Sequence, residues 1–134
     1  MCNIEICERY DKRTLRNNKN KLYIFGDNII SEGKGGQAII RDEENAIGIP
    51  TKKFPTNKSN AFFKDGELKI NIGYIDAAII GIKNVMTRYE ILVFPLDGLG
   101  TGRANLKKFA PKTYGYLVHK LKEEFGYENG RHSS

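Results

Sequence analysis

The sequence predicts an α/β fold in three layers, with a mixed, mostly parallel sheet covered by helices on both faces. Residues 22–25 and 91–94 are apolar at every position, which is typical of strands buried on both sides. Apolar residues recur elsewhere at spacings of three and four, the pattern of amphipathic helices. A chain of 134 residues with 40% hydrophobic residues is expected to form one domain, over residues 1–127.

The first part of the chain is predicted to hold three strands and a short helix. Residues 3–8 read as a strand, and the polar, basic stretch 11–20 connects it to the buried strand 22–25. A helix is expected to begin directly after the glycines, over residues 36–43, and a further short strand covers residues 46–51.

The second part is predicted to begin with a long polar loop, residues 52–66, which is a candidate lid over a site. After the buried strand 91–94, Pro111 is well suited to begin a last helix that ends near Gly126. Residues 128–134 are interpreted as a flexible tail. The clearest helix lies between the loop and the strand, with an apolar stripe made of Leu68, Ile72, Ile75, Ile79, Ile82 and Met86.

The charge and cysteine content narrow the class of partner. A formal net charge of +6 favours anions such as nucleotides, nucleic acids or acidic lipids, although much of a basic surface is ordinarily solvated. Cys2 and Cys7 lack the further ligands of a zinc site, so they are interpreted as reduced thiols of a cytoplasmic protein. No apolar run is long enough to cross a membrane, and we expect no metal and no cofactor.

The first candidate loop follows strand 22–25. Its glycines leave backbone N–H groups uncovered just before a predicted helix, a geometry that suits phosphate. Asp27 and Asn28 add polar groups that could contact a base or a ribose, and Lys34 adds a positive charge. The alternative is that the glycines only form a tight turn. The candidate ligand-binding residues of this loop are Gly26, Asp27, Asn28, Lys34, Gly35, Gly36 and Gln37.

The second candidate loop follows strand 91–94, at the same end of the predicted sheet. Its alternate glycines allow the backbone to approach a diphosphate closely, and Thr101 carries a hydroxyl donor. Asp97 is either an acid–base group or the side chain of an ordinary Asx turn. The end of a third strand adds Thr51 and Lys52 as candidate ligand contacts, and Lys52 either faces the same crevice or lies on the surface. The candidate residues of the second loop are Asp97, Gly98, Leu99, Gly100, Thr101 and Gly102.

The two loops, in this order and spacing, resemble those of the macrodomain family, which binds ADP-ribose. Asn28 matches the family's distal-ribose asparagine, and residues 94–102 are similar to its diphosphate loop. The branch that removes terminal ADP-ribose from proteins or DNA is similar in having a Thr-Lys strand end, here Thr51-Lys52. The resemblance covers residues 22–125 and implies a macrodomain-like α/β/α fold. The combined motifs also resemble small phage and bacterial proteins, but this second resemblance does not indicate which activity to expect.

The resemblance implies binding more directly than catalysis. Arg41, which we include among the candidate ligand contacts, stands where we align the branch's catalytic lysine. Arginine cannot form the covalent sugar adduct that lysine can. Asp97 precedes the glycines, whereas the branch's aspartate follows them. The predicted function is therefore binding of ADP-ribose or a related nucleotide diphosphate, with hydrolysis of an ADP-ribosyl linkage by Asn28 and Asp97 left open. Its partners would be a free nucleotide ligand or an ADP-ribosylated protein or nucleic acid, with no membrane. The alternatives are non-catalytic sequestration of a nucleotide signal, as in phage counter-defence, and a basic nucleic-acid-binding module.

Overall fold

The computed structural model describes residues 3–130, which contain a four-stranded sheet in the order β1–β4–β2–β3. The strands are β1 (Asn3–Cys7), β2 (Lys21–Asn28), β3 (Ala46–Lys52) and β4 (Ile91–Pro95). Every pair of neighbouring strands runs parallel. The predicted α/β class is confirmed. We predicted a mixed, mostly parallel sheet, whereas the described strands are all parallel.

In the described part of the chain, four α-helices accompany the sheet, and short 3₁₀ helices fill the connections. The α-helices are α1 (Lys12–Arg16), α2 (Leu68–Val85), α3 (Leu106–Phe109) and α4 (Pro111–Phe125). The N-terminus of α4 is capped from outside the helix, because the carboxylate of Asp65 accepts hydrogen bonds from the N–H groups of Lys112 and Thr113 at 2.8 and 3.0 Å. The 3₁₀ helices are Gly36–Ile40, Ser59–Ala61, Asp65–Glu67 and Met86–Arg88.

Alternate residues of β2 point into two separate apolar clusters. Leu22 and Ile24 pack in the larger cluster with residues of α2 and α4, whereas Tyr23 and Phe25 pack in the smaller one with Leu15 of α1. Both faces of the sheet are therefore covered, as the uniformly apolar strand predicts. The layer formed by α1 and the 3₁₀ helix Gly36–Ile40 is thin, since each has five residues.

Two local predictions are wrong. The helix predicted over residues 36–43 is a 3₁₀ helix that ends at Ile40, because the chain must turn towards β3 and the i→i+3 pattern is used in such short connections. Residues 128–130, predicted to lie in a flexible tail, pack against the body of the protein, and Asn129 is 5% exposed. Cys2 and residues 131–134 lie outside the described residues.

Within residues 3–130, no helix has both the length and the apolar character needed to cross a membrane.

Candidate functional site

A crevice of about 420 Å³ opens at the carboxyl ends of β2, β3 and β4. This edge of a parallel sheet is the usual place for ligands. Both glycine loops and the end of β3 contribute to its lining, so the fold brings together the segments that the sequence analysis assigned to one site. The predicted site residues that line the crevice are Gly26, Asp27, Asn28, Gly35, Gly36, Gln37, Thr51, Lys52, Asp97, Gly100, Thr101 and Gly102.

The side chain of Gln37 joins the two loops. Its Oε1 accepts a hydrogen bond from the N–H of Gly26 at 2.8 Å, and its Nε2 donates to the carbonyl of Gly98 at 2.9 Å. Gly26 belongs to β2 and Gly98 follows β4, so one side chain links the ends of two neighbouring strands. Gln37, predicted as a ligand contact, uses both polar atoms to hold the site together.

Asp27 and Arg41 form an ion pair at the base of the first loop. The Arg41 guanidinium donates to both carboxylate oxygens of Asp27 and to the carbonyl of Gly33. The two side chains are 8% and 12% exposed. Arg41 was predicted as a ligand contact, yet it does not line the crevice. Its charge neutralises Asp27, which removes a buried negative charge that would repel an anion.

The side chain of Asn28 folds the first loop. Its Nδ2 donates to the carbonyl of Glu32 at 2.8 Å, and its Oδ1 accepts from the N–H groups of Ile30 and Glu32 at 3.2 and 3.4 Å. An asparagine bonded in this way to its own loop is typical of a turn residue. The predicted role of Asn28 in orienting a ribose or a water stays a prediction, and only its second amide hydrogen is left to serve it.

Asn129 holds the second loop from the far end of the chain. Its Oδ1 accepts from the N–H of Leu99 at 2.7 Å, and its Nδ2 donates to the carbonyl of Leu99 at 3.0 Å. Leu99 is fully buried and Gly98 has a φ of +87° with the backbone of Gly130 close by. These two loop residues were predicted as ligand contacts, but they anchor the loop to the core and do not line the crevice.

The rest of the second loop keeps its backbone donors available. Within residues 3–130, the N–H groups of Gly100, Thr101 and Gly102 donate to no acceptor, and all three residues line the crevice. The hydroxyl of Thr101, predicted as a ligand donor, instead donates to the carbonyl of Asp97 at 2.6 Å. Consecutive uncovered N–H groups form a concave surface that favours an anion.

Two cations line the same crevice as these donors, those of Lys52 and Arg103. Lys52 lines the crevice although it is only 8% exposed, with its Nζ 4.8 Å from the ring centroid of Phe62. Burial, and after it the nearby charge of Arg103, lowers the pKa of Lys52. Arg103 reaches the first loop, since a Cβ placed at Gly35 would lie 2.7 Å from its Nη1. In the described part of the chain, no carboxylate pairs with either cation.

Two carboxylates line the crevice without an ion pair among the described residues, those of Asp97 and Glu32. Asp97 is exposed and borders a second, more open crevice of about 560 Å³ on the β1 side. Gly36 and Gln37 contribute to both crevices, so they form the boundary between them. Lys34 lines the second crevice, where its Nζ lies 2.5 Å from Oδ2 of Asp42, and its contact with a ligand stays a prediction.

Several residues that line the crevice were not predicted from the sequence. Arg103 follows the second loop directly, so its position next to Gly102 was a usable signal. Glu32 and Gly33 lie within the first loop, so their positions in the sequence were also a usable signal. The candidate lid supplies Pro55, Thr56 and Asn57, and it is pinned at its base by the isolated antiparallel bridge between Lys52 and Phe62. No local pattern identified which lid residues would reach the crevice.

Comparison with known proteins gives one match. The model of a family of unknown function, DUF7831, matches residues 5–120. No curated protein and no solved structure matches the chain.

Proposed function

We propose that this chain, which belongs to the DUF7831 family, binds an ADP-ribose-type nucleotide diphosphate, with the diphosphate between its two glycine loops. The observation that carries the proposal is the convergence of three uncovered backbone donors and two cations without carboxylate partners in one crevice. A diphosphate supplies the negative charges and acceptor oxygens that this set of donors lacks. The macrodomain resemblance of the two loops supports the same ligand class.

The size and polarity of the crevice are consistent with a nucleotide. Ligand sites have volumes of about 300–1,000 Å³, and the second crevice adds space beyond Gln37 for a long ligand. The Asp27–Arg41 pair is neutral. Lys52 and Arg103 share the crevice with the carboxylates of Asp97 and Glu32, which form no ion pair among the described residues. The two cations and the backbone donors of the second loop are therefore the groups that would contact the diphosphate. We include a cytoplasmic location in the proposal, based on the reduced cysteines predicted from the sequence.

Isothermal titration calorimetry with ADP-ribose, ADP, AMP and ribose 5-phosphate tests the proposal. We expect ADP-ribose to bind most tightly and ribose 5-phosphate, which has one phosphate, to bind weakly. Ligand at 100 times Kd stabilises the protein by about 2.7 kcal/mol, so a thermal shift should accompany the heat. Absence of both heat and thermal shift with every nucleotide would refute the proposal.

A charge-matched pair of variants tests the location of the site. Arg103→Gln removes a crevice cation, whereas Lys19→Gln removes an exposed lysine whose only ion-pair contact in the described chain is Glu44 at 3.8 Å. We expect the first variant to weaken ADP-ribose binding by tenfold or more and the second to leave it unchanged. Equal losses would mean that the net charge alone attracts the ligand, and would contradict the crevice.

Hydrolysis of an ADP-ribosyl linkage is a second candidate function, and the burial of Lys52 favours it. A lowered lysine pKa increases the fraction of neutral amine, the form that can attack the sugar carbon of an ADP-ribosyl linkage. As the C–N bond forms, the bond from that carbon to the modified side chain breaks and the side chain leaves with a proton; water then hydrolyses the adduct, which releases ADP-ribose and restores the lysine. Lys52 would then act as the nucleophile, a role that Arg41 cannot perform. We expect Lys52→Arg to abolish product release from an ADP-ribosylated peptide while ADP-ribose still binds. If the wild-type protein releases no product, the non-catalytic sequestering function replaces this one.

A further inference from the structure

A cluster of cations surrounds two phenylalanines next to the crevice. The rings of Phe62 and Phe109 lie 4.3 Å apart between centroids. The Nζ of Lys52 lies 4.8 Å from the Phe62 centroid, and those of Lys64 and Lys108 lie 5.3 and 5.5 Å from the Phe109 centroid. Three ammonium groups are thus held around one aromatic pair, and Arg103 extends the cluster into the crevice. We call these residues, Lys52, Phe62, Lys64, Arg103, Lys108 and Phe109, the basic face.

The basic face has no negative charge of its own to balance it. None of its four cations forms an ion pair within residues 3–130. The acids nearest in sequence to Lys64 are engaged elsewhere, since Asp65 caps α4 and Glu67 pairs with Lys53. Like charges gathered without counter-charges repel each other, and an external polyanion would relieve this repulsion.

We propose that the basic face binds the phosphate backbone of a single-stranded nucleic acid. Lys and Arg side chains are the ordinary partners of backbone phosphates, and channels for single strands combine such cations with aromatic rings. Phe109 is partly exposed among the cations, a feature that a base can use for stacking and that an acidic peptide does not require. These observations favour a nucleic acid over an acidic peptide.

The basic face could not be predicted from the sequence, because its residues come from separate segments of the chain. Residues 62–64 follow the lid, and residues 103–109 follow the second glycine loop. Within residues 3–130, no single strand interleaves basic and aromatic residues in the manner of RNA-binding motifs. The contacts of Phe62 and Lys64 with Phe109 bring the two segments together. The basic face shares Lys52 and Arg103 with the crevice, whereas Lys64 and Lys108 do not line it. Variants of Lys64 and Lys108 therefore test the basic face without altering the nucleotide site.

The test measures the salt dependence of binding to a fluorescein-labelled, mixed-sequence 12-nucleotide single-stranded DNA by anisotropy, from 50 to 300 mM NaCl. If the four cations each neutralise one phosphate, log K should fall with log[NaCl] with a slope of about −3. The double variant Lys64→Gln/Lys108→Gln should reduce that slope to about −1.5 and the affinity at 0.1 M NaCl by about 25-fold. Both lysines are exposed, so its unfolding midpoint should match the wild type.

A control double variant, Lys19→Gln/Lys122→Gln, removes the same charge from exposed lysines paired with Glu44 and Glu128. It should bind the DNA as the wild type does, and a loss equal to that of the first variant would overturn the proposal. Displacement of the DNA by polyglutamate of equal charge would also overturn it, in favour of an acidic peptide. No binding at 50 mM NaCl overturns it outright.

ADP-ribose titration separates this inference from the proposed function. The Lys64→Gln/Lys108→Gln variant should bind free ADP-ribose as the wild type does, while its DNA binding is weakened. If the wild type binds the DNA with the expected slope but no nucleotide, the basic face is supported and the nucleotide site is refuted.

Discussion

Substitution of Gln37 should loosen the site without disturbing the packing around it. Gln37→Met keeps the length and approximate volume of the side chain but removes the hydrogen bonds to the Gly26 N–H and the Gly98 carbonyl, which are 2.8 and 2.9 Å long. A neutral hydrogen bond contributes about 1 kcal/mol net. The loss of both should therefore lower the free energy of unfolding by about 2 kcal/mol, or Tm by about 8 °C in a domain of this size.

Urea unfolding followed by circular dichroism measures this loss, and calorimetry with ADP-ribose measures its effect on binding. We expect weaker binding as well, because Gln37 fixes the second loop relative to β2. Asn84→Met is the control. Asn84 is exposed on α2, without a side-chain hydrogen bond among the described residues, so its loss should stay below about 0.5 kcal/mol.

A second substitution separates the two hydrogen bonds. Gln37→Glu keeps an acceptor for Gly26 but replaces the donor to Gly98 with a carboxylate oxygen that faces a carbonyl. We expect it to be at least as destabilising as Gln37→Met at pH 7, and to recover at acid pH, where the protonated carboxyl can donate. If Gln37→Met loses less than about 0.5 kcal/mol and binds ADP-ribose normally, the bridge does not organise the site.

Three further predictions address the other parts of the site. Asn129→Ala should lower the free energy of unfolding by about 2–3 kcal/mol and weaken ADP-ribose binding, because it leaves the buried backbone of Leu99 unpaired. A free energy of unfolding in urea equal to that of the wild type would contradict the role of residues 128–130. Gly102→Val should block binding at unchanged stability, since nothing lies within 4 Å of a Cβ there. The equally unobstructed Gly66→Val, outside the crevice, is its control, and equal affinities measured by calorimetry would place the ligand elsewhere. Anion binding should weaken as pH rises through the pKa of Lys52, which is lowered below the usual lysine range, because the ammonium loses its proton there. Calorimetry from pH 7 to 10 should show a flatter pH profile of affinity for Lys52→Arg than for the wild type. Identical profiles would mean that Lys52 does not contact the ligand.

The sequence was sufficient to predict the four strands, the helices α2 and α4, and the edge of the sheet where the candidate site lies. Strand and helix periodicities are local properties of the chain, and buried strands such as β2 and β4 have to be apolar at almost every position. The two glycine loops follow these strands, so their meeting at one edge could be inferred from the parallel arrangement alone. The α2 stripe was predictable for the same reason, because one helical face must contact the core.

The tertiary structure decided which polar side chains line the crevice and which hold the loops. The sequence predicts the polar side chains of Gln37, Arg41 and Asn28 as ligand contacts. In the structure, each of them forms hydrogen bonds with backbone groups of a nearby loop. Buried backbone groups need partners, and only the folded geometry shows which side chain supplies them. Asn129 lies 30 residues from Leu99 in the sequence, and the basic face joins segments more than 40 residues apart, as in the contact of Phe62 with Phe109. Such pairings depend on how strands and helices pack in space, which a local pattern does not specify.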